Sequence, residues 1–197
     1  MTDSGKLTTR NLIDIGVFAA LYFAVITVTG IISAAAPIFL IVGWIVSIPL
    51  NGIVIALFVS RVPKLGALAL LGLAFGAIMA LSGYHWAAVP LPAILGLLAD
   101  LVITRGPRGT LAKRIPAAYA IFSLVLVVPL LPIFLNADAY YADISAQMGP
   151  EYADDMRDLF QPWVPAAWAG FLLVLGYLGG LLGVRTLRRH FSRSGLA

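Results

Sequence analysis

The side chains able to carry chemistry in this chain are few, and their placement narrows what that chemistry could be. Histidine occurs only as His85 and His190, next to opposite ends of apolar runs. Cysteine is absent, which removes disulfides, thiolate metal sites and a thiol nucleophile. There is no His-Glu-x-x-His, no pair of carboxylates inside the apolar runs and no Ser/His pairing at a common depth. Gly106-x-x-Gly109 lacks the Lys-Ser/Thr of a phosphate-cradling loop. Asp14, Asp100 and Arg185 lie within or against the apolar runs but near their ends, and Arg10 and Arg105 are within helical reach of Asp14 and Asp100 for pairing. A charge deep in an apolar run would mark a proton or ion relay, and none stands out. The residues argue against an enzyme and against an ion-driven pump.

Asn51, which follows Pro49 and precedes Gly52, is the clearest polar group inside an apolar run. Pro49 removes a backbone hydrogen bond and favours a kink. Asn51 is expected to satisfy freed backbone or to bridge to a neighbouring helix.

A second chemistry is recognition by aromatic rings. Tyr84, His85 and Trp86 stand together between two apolar runs, ahead of Pro90 and Pro92. Tyr140, Tyr141, Trp163 and Trp168 flank a later connection, as do Pro129 and Pro132. Tyr and Trp at such places commonly anchor a chain at the lipid–water interface. They could equally line an aromatic, weakly charged cavity for a flat or partly apolar molecule. On that second reading Tyr84, His85, Trp86, Tyr140, Tyr141 and Trp163 are the candidate substrate contacts. With haem as cargo, His85 or a tyrosine would be the candidate axial ligand. No metal site and no intrinsic cofactor are expected.

The elements that must position these residues are membrane helices. Of 197 residues, 61% are hydrophobic and 11% charged, against about 25% charged in a soluble average. Six runs approach the roughly 17–25 residues a bilayer-crossing helix needs: 12–33, 37–60, 65–82, 87–104, 116–136 and 163–184. The expected fold is an all-α integral membrane protein, a single six-span domain over residues 1–197. The first run is too long for the roughly 7–15-residue core of a signal peptide and reads as a retained span.

Charge sets the orientation. Lys6, Arg10, Arg61, Lys64, Arg105, Arg108, Lys113, Arg114, Arg185, Arg188, Arg189 and Arg193 all fall on one side of an even number of spans. By the positive-inside rule that side is cytoplasmic, and so are both termini. The net charge of +4 therefore reflects topology, and no nucleic-acid partner is expected. The opposite side holds one long acidic connection, 137–162, with Asp138, Asp143, Glu151, Asp154, Asp155 and Asp158 against Arg157. Residues 139–148 favour a helix, Gly149-Pro150 stops it, and Tyr152, Met156 and Phe160 recur on one side of a second short helix. Long connections with their own helices commonly cover or build a binding site.

Within the first run, Gly16, Ala20 and Ala24 recur every four residues and form one stripe of small side chains. Such a stripe admits close approach of another helix in lipid. That helix belongs either to this chain or to a partner protein.

The segment Thr9 to Phe23, the stretch Gly96-Leu-Leu-Ala-Asp100 and the stretch Ala146-Gln-Met-Gly-Pro-Glu-Tyr-Ala-Asp154 resemble the Trep_Strep (MptD-like) group of S components of energy-coupling factor (ECF) importers. The resemblance implies a substrate-binding subunit that captures a micronutrient from outside: haem or another tetrapyrrole, or a vitamin-like ring compound. It implies partnership with a membrane T component and two cytoplasmic ATPase subunits. It assigns Ala20 and Ala24, extended by Gly16, to contact with the T component. The chain lacks the histidine-rich start of nickel and cobalt S components. The alternatives are a membrane scaffold or assembly protein without a pocket, and an intramembrane enzyme.

Overall fold

A computed structural model describes residues 7–31, 35–83, 86–161 and 163–191. These residues form helices and connecting turns, with no strand among them. The long elements are α1 (Thr9–Gly30), α2 (Ile38–Arg61), α3 (Ala67–Leu81), α4 (Pro90–Thr104), α5 (Leu111–Ser123) and α9 (Val164–Phe191). Between α5 and α9 lie a 3-10 segment, Leu124–Leu130, the short α6 (Leu131–Leu135), α7 (Ala137–Met148) and α8 (Pro150–Leu159). The long helices contact one another as a closed ring: α1 on α2, α2 on α9, α9 on α5, α5 on α4, α4 on α3 and α3 on α1.

Among the described residues, five segments are long and apolar enough to cross a membrane: Thr9–Gly30, Ile38–Arg61, Trp86–Thr104, Leu111–Ile133 and Val164–Arg189. The run expected as a third span is a shorter apolar helix of 15 residues. Its start is set by Gly66 at φ 88°, and Gly83 at φ 91° lies just beyond its end; both angles favour glycine. At 1.5 Å per residue it is about 22 Å long, less than a hydrocarbon core of about 30 Å. The fifth run is present as a helical span but changes from α to 3-10 geometry at Leu124: Pro129, which cannot donate a backbone hydrogen bond, lies in the 3-10 segment, and Pro132 lies in the first turn of α6. The last helix, 28 residues long, extends past the expected end at Val184 and carries Arg185, Arg188 and Arg189.

The centre of the ring is aromatic. Tyr22 packs edge-on against Phe75 at 5.2 Å and Phe122 at 5.5 Å between centroids, and Phe18 meets Phe58 at 5.5 Å. Tyr119 donates to the Ile48 carbonyl at 2.7 Å, and Ser123 donates to the Leu172 carbonyl at 2.9 Å, which ties α5 to α2 and α9. Asn51 bridges helices, its Nδ2 donating to the Tyr22 carbonyl at 3.4 Å. Close backbone approaches join α2 to α9, where a Cβ on Gly52 would overlap the Gly179 carbonyl, and α3 to α4, where a Cβ on Gly72 would overlap the Pro92 carbonyl. Small residues in lipid are used for such contacts, since packing replaces water expulsion as the driving force.

Candidate functional site

At the end of the ring opposite the basic clusters, the helix ends part around two adjoining cavities of about 340 and 720 Å³. Leu40, Trp44, Ser82 and Pro129 belong to the walls of both. The inner cavity is apolar, with Phe23, Ile26, Phe75, Met79 and Val125 along it. The outer one lies beneath α7 and α8. Cavities of roughly 300–1,000 Å³ are the size that receives small organic ligands.

The cover is built by helical periodicity. Asn136, Ala139, Tyr140, Asp143, Ile144, Gln147 and Met148 line the outer cavity. Their spacing by three and four puts them on one face of α7. Asn136 also starts that helix, its side chain accepting from the Ala139 N–H at 3.3 Å. Gly149, at φ 93°, turns the chain into α8, with Pro150 at its first position. Tyr152 and Met156 then bring one face of α8 onto the same cavity.

The residues expected to form the site are divided by this arrangement. Tyr140 lines the cavity. Tyr141, about 100° further round the helix, does not: it is buried, packs edge-on to Tyr140 at 5.3 Å and lies under the Arg157 guanidinium, 4.6 Å from the ring centroid. Burial holds the Tyr141 hydroxyl above the ordinary tyrosine pKa, and Arg157 partly opposes that shift. Trp86 and Trp163 are 73% and 67% exposed and line neither cavity. Tyr84 and His85 lie outside the described residues. Trp168 is buried behind the site, 5.7 Å from Trp44 and 5.4 Å from Phe171 between centroids.

Trp44, which touches both cavities, was not among the expected contacts. Its immediate neighbours from Ile38 to Val46 are apolar, so nothing beside it marks it. Asn136, Gln147 and Asp143 were also missed as contacts, although the period of α7 on Tyr140 would have found Asp143 and Gln147. Among the described residues, no group of three His, Asp or Glu side chains could hold a metal ion.

The stripe Gly16, Ala20, Ala24 lies on the exposed side of α1. A Cβ on Gly16 would meet nothing within 4 Å. The face turned into the ring is Ile15, Phe18, Ala19, Tyr22 and Ile26. Among the described residues the stripe therefore packs against no helix at Gly16, and Val17, Leu21 and Val28 extend the exposed side with large apolar groups.

Asp100 is 1% exposed and accepts from the Leu68 and Ala69 N–H groups at 3.0 and 3.1 Å. It caps the start of α3 from α4, in place of the expected pairing with Arg105. Arg114 of α5 in turn donates to the Ile103 carbonyl, and to the Pro107 carbonyl at 2.7 Å, at the end of α4. Both charges oppose the dipole of the helix end they meet.

A family model described as a hypothetical bacterial integral membrane protein (Trep_Strep) matches residues 9–193. No curated protein and no solved structure matches the chain.

Proposed function

We propose, from the premise that this chain belongs to the Trep_Strep family of bacterial integral membrane proteins, that it is the substrate-capture subunit of an ECF-type importer. It is a multi-pass membrane protein with five helical segments long enough to span among its described residues. In the proposed topology α3 completes a sixth crossing, both termini are cytoplasmic and the cavity opens outward. The observation that carries the reading is the cavity itself, about 720 Å³ between helix ends and beneath the α7–α8 hairpin, at the end of the ring without basic clusters. Capture of a small molecule by a non-enzymatic subunit needs such a compartment and no catalytic group. The exposed stripe of Gly16, Ala20 and Ala24 supplies a face for the T component, and hydrolysis of ATP falls to two separate ATPase subunits. The cargo is a ring-bearing micronutrient, with haem, other tetrapyrroles and vitamin-like compounds among those to be tried.

Co-reconstitution with a T component and ATPase subunits in proteoliposomes tests this. ATP-dependent uptake that falls at least tenfold in Trp44→Ala and Tyr140→Ala supports it, about 1.4 kcal/mol of lost contact being enough. Ligand binding by the purified chain without any ATP-dependent uptake would sink it.

A further inference from the structure

Among the described residues that line the two cavities, Asp143 is the one charged side chain, and no Lys or Arg is among them. It projects from the same face of α7 as Tyr140, three residues before it, and Gln147, four residues after it. The remaining polar side chains are neutral: Asn136, Gln147, Ser82, Thr27 and the tyrosine hydroxyls of Tyr140 and Tyr152. The rings of Trp44, Tyr140 and Tyr152 and the thioethers of Met148 and Met156 line the outer cavity together with aliphatic side chains such as Leu40, Leu130 and Ile144.

The surroundings have the same sign. The covering hairpin carries Asp138, Asp143, Glu151, Asp154, Asp155 and Asp158 against a single Arg157. That arginine is held over the Tyr141 ring and lines neither cavity. A cleft with the exposed Asp143 carboxylate in its wall, beneath a hairpin of net negative charge, concentrates positive counter-charge and repels anions. Aromatic faces add attraction for a cation once it is desolvated. An anionic ligand would have to lose its hydration with no counter-charge among these residues, which is costly. The carboxylate arms of a tetrapyrrole meet that difficulty here. A bare metal ion is disfavoured for a different reason, because a lone carboxylate among these residues gives it too few ligands.

We propose that the cargo is an organic cation, an apolar or aromatic body bearing a positively charged nitrogen, with Asp143 as its counter-charge and Trp44, Tyr140 and Tyr152 around its body. This rests on the capture reading and narrows it.

The test uses the full chain in phosphatidylcholine nanodiscs, with empty nanodiscs as the partition control. Three probes of one shape but different charge are compared by equilibrium dialysis: naphthylmethylammonium, naphthylmethanol and naphthylacetate. The ammonium should bind about tenfold or more tighter than the acetate, the range expected of one ion pair with aromatic support. Asp143→Asn should reduce that preference several-fold, while Asp155→Asn, an exposed carboxylate outside the lining, should leave it in place. Binding of the acetate as tightly as the ammonium, a preference unchanged by D143N, or no binding of the ammonium overturns the proposal. ATP-driven uptake of an anionic compound by the reconstituted importer would also overturn it, while leaving the capture reading standing.

Discussion

Asp100 on α4 reaches across to α3 and accepts from the Leu68 N–H at 3.0 Å, a side chain of one helix completing the first turn of the next. The same carboxylate takes the Ala69 N–H at 3.1 Å. The first N–H groups of any helix lack intrahelical acceptors, and Gly66, which precedes α3, offers no side chain to supply one. A charge inside a membrane protein is thus used here to hold two helices in register.

Removing that acceptor should be felt as stability. Asp100→Ala leaves one buried and one half-buried donor unmet and should cost about 2 kcal/mol, with Asp100→Asn costing less because one acceptor survives. Thermal unfolding in detergent micelles measures both, and equal melting of wild type and D100A would contradict the capping role.

Two glycines in α1 and α2 should respond oppositely to the same change. Gly52→Ala drives a methyl into the Gly179 backbone, which cannot rotate away, and should cost about 1–3 kcal/mol. Gly16→Ala meets open space and gains helix propensity, so it should be neutral or stabilising by up to about 1 kcal/mol. The comparison is made by unfolding the isolated chain, where no partner contributes.

On the proposed importer reading, the exposed stripe of α1 should matter for assembly and not for folding. Ala20→Leu with Ala24→Leu should leave ligand binding by the isolated chain intact while abolishing co-purification with the T component. Loss of folding along with assembly would return this face to ordinary packing.

The covering hairpin should loosen at alkaline pH. The Tyr141 hydroxyl is held above its ordinary value of about 10 by burial. The folded form therefore keeps its proton where the unfolded form loses it, so stability is intact below that value and declines as pH rises above it. Limited proteolysis between Ala137 and Phe160, followed as pH is raised past about 10, should show accelerating cleavage. Tyr141→Phe should flatten that rise.

Much of the architecture is legible in the residue order alone. Long apolar runs punctuated by Arg61, Lys64, Arg105 and Arg185 read as membrane helices with one basic end, because a helix satisfies its backbone within one segment in lipid and the runs lack the alternation of barrel strands. Gly149-Pro150 and the spacing of Tyr152, Met156 and Phe160 mark a covering hairpin, since that segment lies in water and its apolar period points to what it covers. Tertiary structure decided the rest. In lipid the outward side of a helix is as apolar as the inward side, so period identifies which residues share a face without saying which face turns in. Hence Tyr22 and Phe18 could be placed in the ring, and Gly16 outside it, only by packing. The same holds for Trp44 as a cavity wall and for Asp100 as the cap of α3, because their partners lie on other helices and at no fixed distance along the chain.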